Sequence, residues 1–230
     1  MSSSPKAIVL LSGGLDSTYN LFKAVRQLKV ARTLTFNYGQ KAAGKEIETA
    51  RRLSSDLGVA HQVVELPWFR DFTHTALVAS GVEVPSGVEV RIDSVEHSLR
   101  TAKSVWVPNR NGILLNIAAG FAEGLGAQYV IPGFNLEEAQ TFPDNTDAFL
   151  RSLDQAFSYS TASRVRTQCF SVHLDKGQIV AEGKALGLPF ARLWPCYFAG
   201  DKWCGRCESC QRYARALAAN GLSFEELREV

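Results

Sequence analysis

The sequence predicts an α/β protein in which a doubly wound, mostly parallel sheet of five strands carries a small helical appendage at its C-terminus. Apolar segments of strand length alternate with segments of helical periodicity along most of the chain. The first strand, AIVLL at residues 7–11, is continuously apolar, as expected for a strand covered on both faces. Four cysteines crowd between residues 196 and 210, which indicates a distinct local structure there.

Each element is predicted from the local pattern of apolar residues, glycines and prolines. The predicted strands are 7–11, 31–38, 61–66, 127–134 and 164–170. The predicted helices are 17–27, 45–58, 111–126, 147–160 and 176–188, with a short helix from about Glu208. Gly58 is a plausible C-cap, because glycine readily takes the left-handed backbone that ends many helices. Residues 67–105 show no clear period and contain SGVEVPSG, so we predict a partly mobile insertion there.

The composition bounds the domain organisation and the class of partner. The chain has 230 residues, 46% of them apolar, which is enough for one α/β domain with a sizeable core. We predict that this domain spans residues 1–190 and the cysteine-rich segment residues 191–230. A net charge of +2 is too small to indicate a nucleic-acid partner, whereas a small anionic substrate stays open. No apolar run is long enough for a membrane span and no signal peptide is visible, so a cytoplasmic location is expected.

The first strand is followed by a glycine turn, SGGLDS at residues 12–17. Gly13 and Gly14 let the backbone turn tightly and approach a ligand, while the free N–H groups of the next helix suit a phosphate. Neither the G-x-x-x-x-G-K-[ST] loop nor the G-x-G-x-x-G fingerprint is present. A helix capped by Asp16 or Ser17 is the alternative reading of this turn.

The string S-G-G-x-D-S after an apolar strand resembles the PP-loop of the ATP pyrophosphatases, which have an adenine-nucleotide α-hydrolase-like, Rossmann-like fold. The resemblance implies that this loop binds ATP and that ATP is cleaved to AMP and pyrophosphate. It also implies that Asp16 helps to order Mg²⁺, with Asp16 and Ser17 as catalytic residues. The implied ATP-binding set is Leu11, Ser12, Gly13, Gly14, Leu15, Asp16, Ser17, Thr18, Tyr19, Asn20 and Leu21.

The C-terminal cysteines are spaced C-x₇-C-x₂-C-x₂-C. Four thiolates close a tetrahedral Zn²⁺ site and leave no open position for catalysis, so we predict structural zinc. An iron–sulfur cluster and redox-active cysteines are the alternatives. Cys169 lies in a predicted buried strand and is interpreted as a small hydrophobic residue. The predicted zinc ligands are Cys196, Cys204, Cys207 and Cys210.

A PP-loop combined with this cysteine cluster resembles the 7-cyano-7-deazaguanine synthase family of the queuosine pathway. NYGQK at residues 37–41 and VPNRN at residues 107–111 are similar to motifs of that family. One loop departs: AQTFPDNT at residues 139–146 keeps Pro143 and Asp144 of the family pattern but has Asn145 and Thr146 where a Cys-Arg pair is usual.

The family resemblance implies an enzyme that turns 7-carboxy-7-deazaguanine, ammonia and ATP into a nitrile through adenylated acid and amide intermediates. It further implies a homodimer and adds Lys41 and Arg110 as catalytic candidates, for which a solvated lysine and a structural ion pair are the alternatives. Several candidates follow predicted strands or precede the central helix, where Asn109 and Asn111 are also plausible caps. The predicted substrate-binding set is Gln40, Asn109, Arg110, Phe134, Glu137 and Glu138.

Other functions stay open at this point. A related enzyme that joins a deazaguanine amide to a protein is compatible with the altered loop at residues 139–146. A PP-loop tRNA sulfurtransferase would need a catalytic cysteine pair and a basic RNA-binding face. A nucleotide-binding sensor would bind ATP without releasing AMP. The four histidines are scattered without ligand spacing and receive no role.

Overall fold

The computed structural model describes residues 4–79, 81–90, 92 and 103–229. Its centre is a five-stranded parallel sheet in the order β3-β2-β1-β4-β5, which confirms the predicted fold class. The strands are β1 (Lys6–Leu10), β2 (Lys29–Asn37), β3 (His61–Glu65), β4 (Tyr129–Ile131) and β5 (Arg166–Thr167). The helices are α1 (Leu15–Gln27), α2 (Ala43–Asp56), α3 (Arg110–Gly124), α4 (Leu136–Ala139), α5 (Asp147–Ser160), α6 (Lys176–Leu186), α7 (Glu208–Ala218) and α8 (Phe224–Arg228).

The strand order places a topological switch point at the centre of the sheet. From β1 the chain proceeds outward through β2 to β3, then returns to β4 on the other side of β1. Val9 of β1 is paired with Thr33 of β2 on one side and with Ile131 of β4 on the other. The loops after β1 and β4 therefore diverge at the carboxyl edge, where doubly wound sheets bind ligands.

The last two strands are shorter than predicted. β4 ends at Ile131 because Pro132 offers no backbone donor and Gly133 passes against the backbone of α1. β5 ends at Thr167, whose backbone and hydroxyl both donate to Asp154 Oδ1. Cys169 therefore lies beyond the strand in which it was predicted.

The first helix also begins earlier than predicted, at Leu15, with Gly14 as N-cap and no side-chain cap. The alternative of a cap by Asp16 or Ser17 is wrong, because both residues lie inside the first turn. Gly58 follows the end of α2 with a φ of 64°, which confirms the left-handed residue predicted there.

Two hydrophobic clusters cover the opposite faces of the sheet. Alternate residues of β1 belong to different clusters, with Ala7 and Val9 in one and Ile8 in the other. The first cluster also includes Trp203 and Tyr213 of the C-terminal segment. Residues on both sides of the predicted 190/191 boundary thus share one core, and the boundary itself stays a prediction.

The region between β3 and α3 is partly described. A 3₁₀-helix spans Pro67–Asp71, and Phe69 and Leu77 are buried in the second cluster. The predicted mobile insertion falls partly on residues 80, 91 and 93–102, which lie outside the described residues. Within the described ranges, no helix combines the length and apolar character that crossing a membrane requires.

Candidate active site

A cavity of about 280 Å³ opens at the carboxyl edge of the sheet. Leu10 at the end of β1, Phe36 near the end of β2 and Pro132 after β4 contribute to its floor. The lining includes residues of the SGGLDS turn, of α3 and of the loop after α4. Because Trp194 and Tyr197 also line the cavity, the cysteine-bearing segment forms part of its wall.

The glycine turn forms a compact loop of hydroxyl groups. Ser12 Oγ lies 3.1 Å from Ser17 Oγ and accepts from the backbone N–H of Gly14 at 3.3 Å. Gly13 has a φ of +81°, and a Cβ added there would lie 2.6 Å from Thr49 Cγ2. Glycine is therefore required at residue 13 both for its backbone conformation and for the close approach of α2.

The hydroxyl loop meets a buried ion-pair cluster. Lys176 Nζ lies 2.7 Å from Asp16 Oδ2 and 3.0 Å from Glu138 Oε1, and the lysine side chain is 7% exposed. Burial opposes the lysine charge, but the two carboxylates outweigh it and raise the pKa of Lys176 above its ordinary value. Burial likewise opposes ionisation of Glu138, but Lys176, Asn135 and Arg212 together outweigh it and lower the pKa of this carboxyl. The cluster thus keeps a lysine cation beside the predicted phosphate loop.

One oxygen of this cluster has no partner. Asn135 Nδ2 donates to Asp16 Oδ2 at 3.2 Å, whereas Asp16 Oδ1 is buried without a hydrogen bond in the described part of the chain. A buried acceptor is costly unless something satisfies it. Carboxylate oxygens are ligands that Mg²⁺ prefers, so Asp16 fits the predicted role in ordering that ion.

The cavity lining also includes aromatic rings and an arginine. The rings of Trp106 and Phe142 lie nearly parallel, at 11°, with centroids 6.0 Å apart. Arg110 donates to Asn111 Oδ1 at 3.2 Å and approaches the Tyr38 hydroxyl at 3.5 Å. Among the described residues no carboxylate lies within ion-pairing distance, 4.0 Å, of this guanidinium.

Charges around Arg110 keep it protonated. Burial lowers its pKa, but Tyr38, Asp144 and Glu138 outweigh this effect and raise the pKa overall. Asp144 also lines the cavity. Burial raises the pKa of its carboxyl, and the charge of Arg110 opposes this rise without cancelling it. A largely desolvated cation without a direct anionic partner can bind a carboxylate or a phosphate.

The four C-terminal cysteines converge as predicted. Their Sγ atoms all lie within 4.8 Å of one another, and Cys204 Sγ lies 3.9 Å from Cys210 Sγ. Four sulfurs at about 2.3 Å from a tetrahedral Zn²⁺ would be about 3.8 Å apart, so the set fits this ion. Backbone N–H groups of Cys204 and Phe198 approach Cys196 Sγ at 3.4 Å, and such bonds stabilise thiolates.

The later part of the predicted ATP-binding set faces the core instead of the cavity. Thr18, Tyr19, Asn20 and Leu21 are all buried in α1. Tyr19 donates to Glu182 Oε2 at 2.5 Å, and Asn20 donates to Ser171 Oγ and to the Asp16 carbonyl. The helix turns these side chains away from its N-terminus, so the cavity is lined only by Leu11, Ser12, Gly14, Leu15, Asp16 and Ser17 of the predicted set.

Lys41 and Gln40 do not line the cavity either. Lys41 Nζ donates to the carbonyls of Ala76 and Val82, at 2.7 and 2.5 Å, and so holds the segment before α3. Gln40 is buried, accepts from the backbone of Tyr38 and donates to Glu46 Oε2 at 2.8 Å. Both side chains thus hydrogen-bond to local structure and lie outside the cavity lining, so the roles expected for them at the site stay predictions.

Two more predicted substrate ligands lie elsewhere. Asn109 is exposed in a left-handed conformation before α3 and makes no capping hydrogen bond. Glu137 turns towards α7, where Arg212 Nη1 lies 3.1 Å from its Oε2. Arg110, Phe134 and Glu138 of the predicted substrate-binding set do line the cavity.

Several residues that line the cavity were not predicted from the sequence. Lys176 is the most important, and its signal was the string DKGQ: Asp175 and Gln178 form a capping box that places Lys176 at the first position of α6. Trp106, before α3, and three residues of the C-terminal segment also line the cavity: Tyr197, Glu208 and Arg212.

Comparisons with known proteins agree with this geometry. The family model described as "Queuosine biosynthesis protein QueC" matches residues 6–221. A 7-cyano-7-deazaguanine synthase of Bdellovibrio bacteriovorus is 51% identical, covering 99% of this chain and 99% of its own length. That of Methanosarcina mazei is 43% identical, covering 94% and 95%. A 4-thiouridine synthetase–RNA complex with bound ATP, 17% identical over 98% of this chain and 53% of its own, has a TM-score of 0.51 and shares the fold alone.

Proposed function

Because the chain belongs to the QueC family of queuosine biosynthesis proteins, we propose that it converts 7-carboxy-7-deazaguanine, ammonia and ATP into 7-cyano-7-deazaguanine. The observation that best supports this is one cavity lined by two groups of residues of different chemistry, which we take as its phosphate end and its acceptor end. A hydroxyl and glycine loop with a buried lysine suits a triphosphate, and an arginine beside two parallel rings suits a planar acid.

The reaction needs activation because a carboxylate is a poor electrophile. A carboxylate oxygen attacks the α-phosphorus of ATP, pyrophosphate leaves, and ammonia then displaces AMP to give the amide. The amide oxygen attacks a second ATP in the same way. Loss of AMP, with loss of the two remaining N–H protons, gives the nitrile. Each oxygen of the carboxylate therefore departs on one AMP, and no covalent enzyme intermediate is needed.

At the phosphate end, the chain supplies donors and positive charge. Ser12, Gly14 and Ser17, with the N-terminus of α1, would hold the pyrophosphate part of ATP. Lys176 would face the charge that develops on this group, and its position is fixed in advance by Asp16 and Glu138. Mg²⁺ bound to Asp16 would neutralise phosphate charge.

At the acceptor end, Arg110 would bind the substrate carboxylate, because it lacks a carboxylate partner in the described part of the chain. The faces of Trp106 and Phe142 would pack against the fused rings. Asp144 would accept hydrogen bonds from the N1–H and 2-amino edge of the base.

The four cysteines would hold structural Zn²⁺, with all four ligand positions filled by protein.

The two changed residues of the loop at 139–146 have separate positions. Thr146 caps α5 by accepting from the backbone of Phe149 at 3.1 Å, whereas Asn145 lines the cavity. Only one of the two changes therefore affects the proposed substrate site. The homodimer and the cytoplasmic location stay predictions.

Purified protein incubated with ATP, Mg²⁺, ammonium and 7-carboxy-7-deazaguanine tests the proposal when acid, amide, nitrile and nucleotides are followed by mass spectrometry. We expect the amide to rise and fall, the nitrile to accumulate, and two AMP to form per nitrile. Amide without nitrile would instead favour a conjugating enzyme. Bound ATP without AMP would favour a sensor.

A further inference from the structure

We propose that Glu137 is a positioning residue that couples the four-cysteine segment to the ATP-binding loop. This inference rests on the proposed function, because it concerns the residues that would hold ATP. Glu137 lies on α4, a helix of only four residues directly after β4 and the cavity-lining Phe134. So short a helix depends on contacts with other elements for its position.

The first contacts join Glu137 to the C-terminal segment. Two arginines of α7 converge on Glu137 Oε2: Arg212 Nη1 at 3.1 Å and Arg215 through a short ion pair. The side chains of Glu137 and Arg212 are 17% and 10% exposed, so solvent screens their ion pair only weakly. Arg212 is itself held by Glu208 Oε1 at 2.7 Å.

The next contacts join α4 to the ATP loop. Glu137 Oε1 accepts from the backbone N–H of Lys176 at 3.1 Å, and the neighbouring Glu138 holds the Lys176 ammonium at 3.0 Å. Asn135 caps α4 by accepting from the Glu138 N–H at 3.0 Å, while its amide donates to Asp16. A shift of α4 would therefore move both carboxylate and amide partners of the Asp16–Lys176 pair.

The cysteine cluster sets the position of α7. Cys207 is the N-cap of this helix and Cys210 lies in its first turn. A metal ion held by the four thiolates would fix that turn, and with it Arg212 and Arg215 two turns or less away. The path from the metal ligands to the ATP loop is thus α7, Glu137, α4, Lys176 and Asp16.

Coupling between two binding free energies is reciprocal, so bound ATP should raise the affinity for zinc by the same factor by which zinc raises the affinity for ATP. With an unchanged rate of zinc association, that factor is observed as slower zinc release. The test uses protein loaded with Zn²⁺, a chelator with a colour indicator, and α,β-methylene-ATP, which cannot be cleaved between its α and β phosphates. We expect saturating analogue to slow zinc release from the unaltered protein about fivefold or more. Glu137→Gln should release zinc at the same rate with and without the analogue.

Glu182→Gln is the matched control, since Glu182 of α6 pairs with Tyr19 and Lys23 of α1 and does not line the cavity. The analogue should slow zinc release from this variant as much as from the unaltered protein. Arg215→Gln removes one of the two ion pairs from a side chain that is 39% exposed, and it should reduce the slowing. If Glu137→Gln proves insoluble, the result for Arg215→Gln tests the coupling through Glu137 instead.

The inference would be overturned if the analogue slowed zinc release from Glu137→Gln as much as from the unaltered protein. If only Arg215→Gln folds, the same result for that variant would overturn it. So would an analogue that binds the unaltered protein by calorimetry without slowing zinc release. Failure of the analogue to bind at all would overturn the proposed ATP site itself, and the inference with it. The two failures are therefore distinguishable.

Discussion

Lys176 Nζ lies 2.7 Å from Asp16 Oδ2, although the two residues are 160 positions apart in the chain. Asp16 is in the first turn of α1 and Lys176 in the first turn of α6, so two helix N-termini approach each other across the loop after β4. Such a cluster would hold the lysine cation in position before the proposed ATP binds.

Lys176→Met should lower the rate of AMP formation about 100-fold or more, because it removes the buried cation and keeps a side chain of similar length. Steady-state assays with saturating ATP and acid measure this effect. Lys23→Met is the control, since Lys23 pairs with Glu182 outside the cavity. Equal rates for the two variants would contradict a catalytic position for Lys176.

The Glu138–Lys176 pair should make the free energy of unfolding depend on pH in the acidic range. Burial raises the pKa of Glu138, but Lys176, with Asn135 and Arg212, outweighs burial and lowers this pKa below 4.5. The stabilising contribution of Glu138 is therefore complete above that pH and is lost as pH falls through the folded-state value. The free energy of unfolding in urea should therefore fall less steeply below pH 4.5 for Glu138→Gln than for the unaltered protein. Identical slopes would mean that the pair does not form.

The aromatic end should determine affinity for the acceptor and not for ATP. Trp106→Ala should raise the KM for 7-carboxy-7-deazaguanine about tenfold, the size expected for loss of one stacking ring, with the KM for ATP little changed. Trp68, which is 44% exposed and does not line the cavity, gives the control Trp68→Ala. A larger effect on the KM for ATP would place the base of ATP on these rings instead.

Removal of one zinc ligand should affect folding more than chemistry. Cys207→Ser should lower bound zinc, measured by elemental analysis, and should lower the melting temperature, because structural zinc sites contribute directly to folding. Cys169→Ser should keep its zinc, since Cys169 Sγ lies near Phe134 O and Ser171 Oγ and outside the cluster. Zinc retained in Cys207→Ser would show that the ligand set is wrong.

The sequence predicted those parts of the site whose spacing is local. The SGGLDS turn and the cysteine cluster each lie within one short segment, and both are found where expected. The direction of individual side chains was less predictable. Thr18 follows Ser17 directly but faces the core, because successive residues of a helix point about 100° apart.

Long-range partnerships were not predictable from spacing. Lys176 meets Asp16 only because the sheet order brings α6 beside α1, and that order is not written in either segment. Glu137 was expected at the substrate on the strength of its place after β4. It turns towards α7 because two arginines from the far end of the chain offer opposite charge there.

The most direct test of the proposed reaction uses 7-carboxy-7-deazaguanine labelled with ¹⁸O in both carboxylate oxygens. The mechanism predicts that both equivalents of AMP formed per nitrile carry one ¹⁸O, because each oxygen leaves bonded to the α-phosphorus. Mass spectrometry of AMP measures this. Unlabelled AMP, with ¹⁸O found in pyrophosphate or water, would contradict activation of the acid and the amide by adenylation.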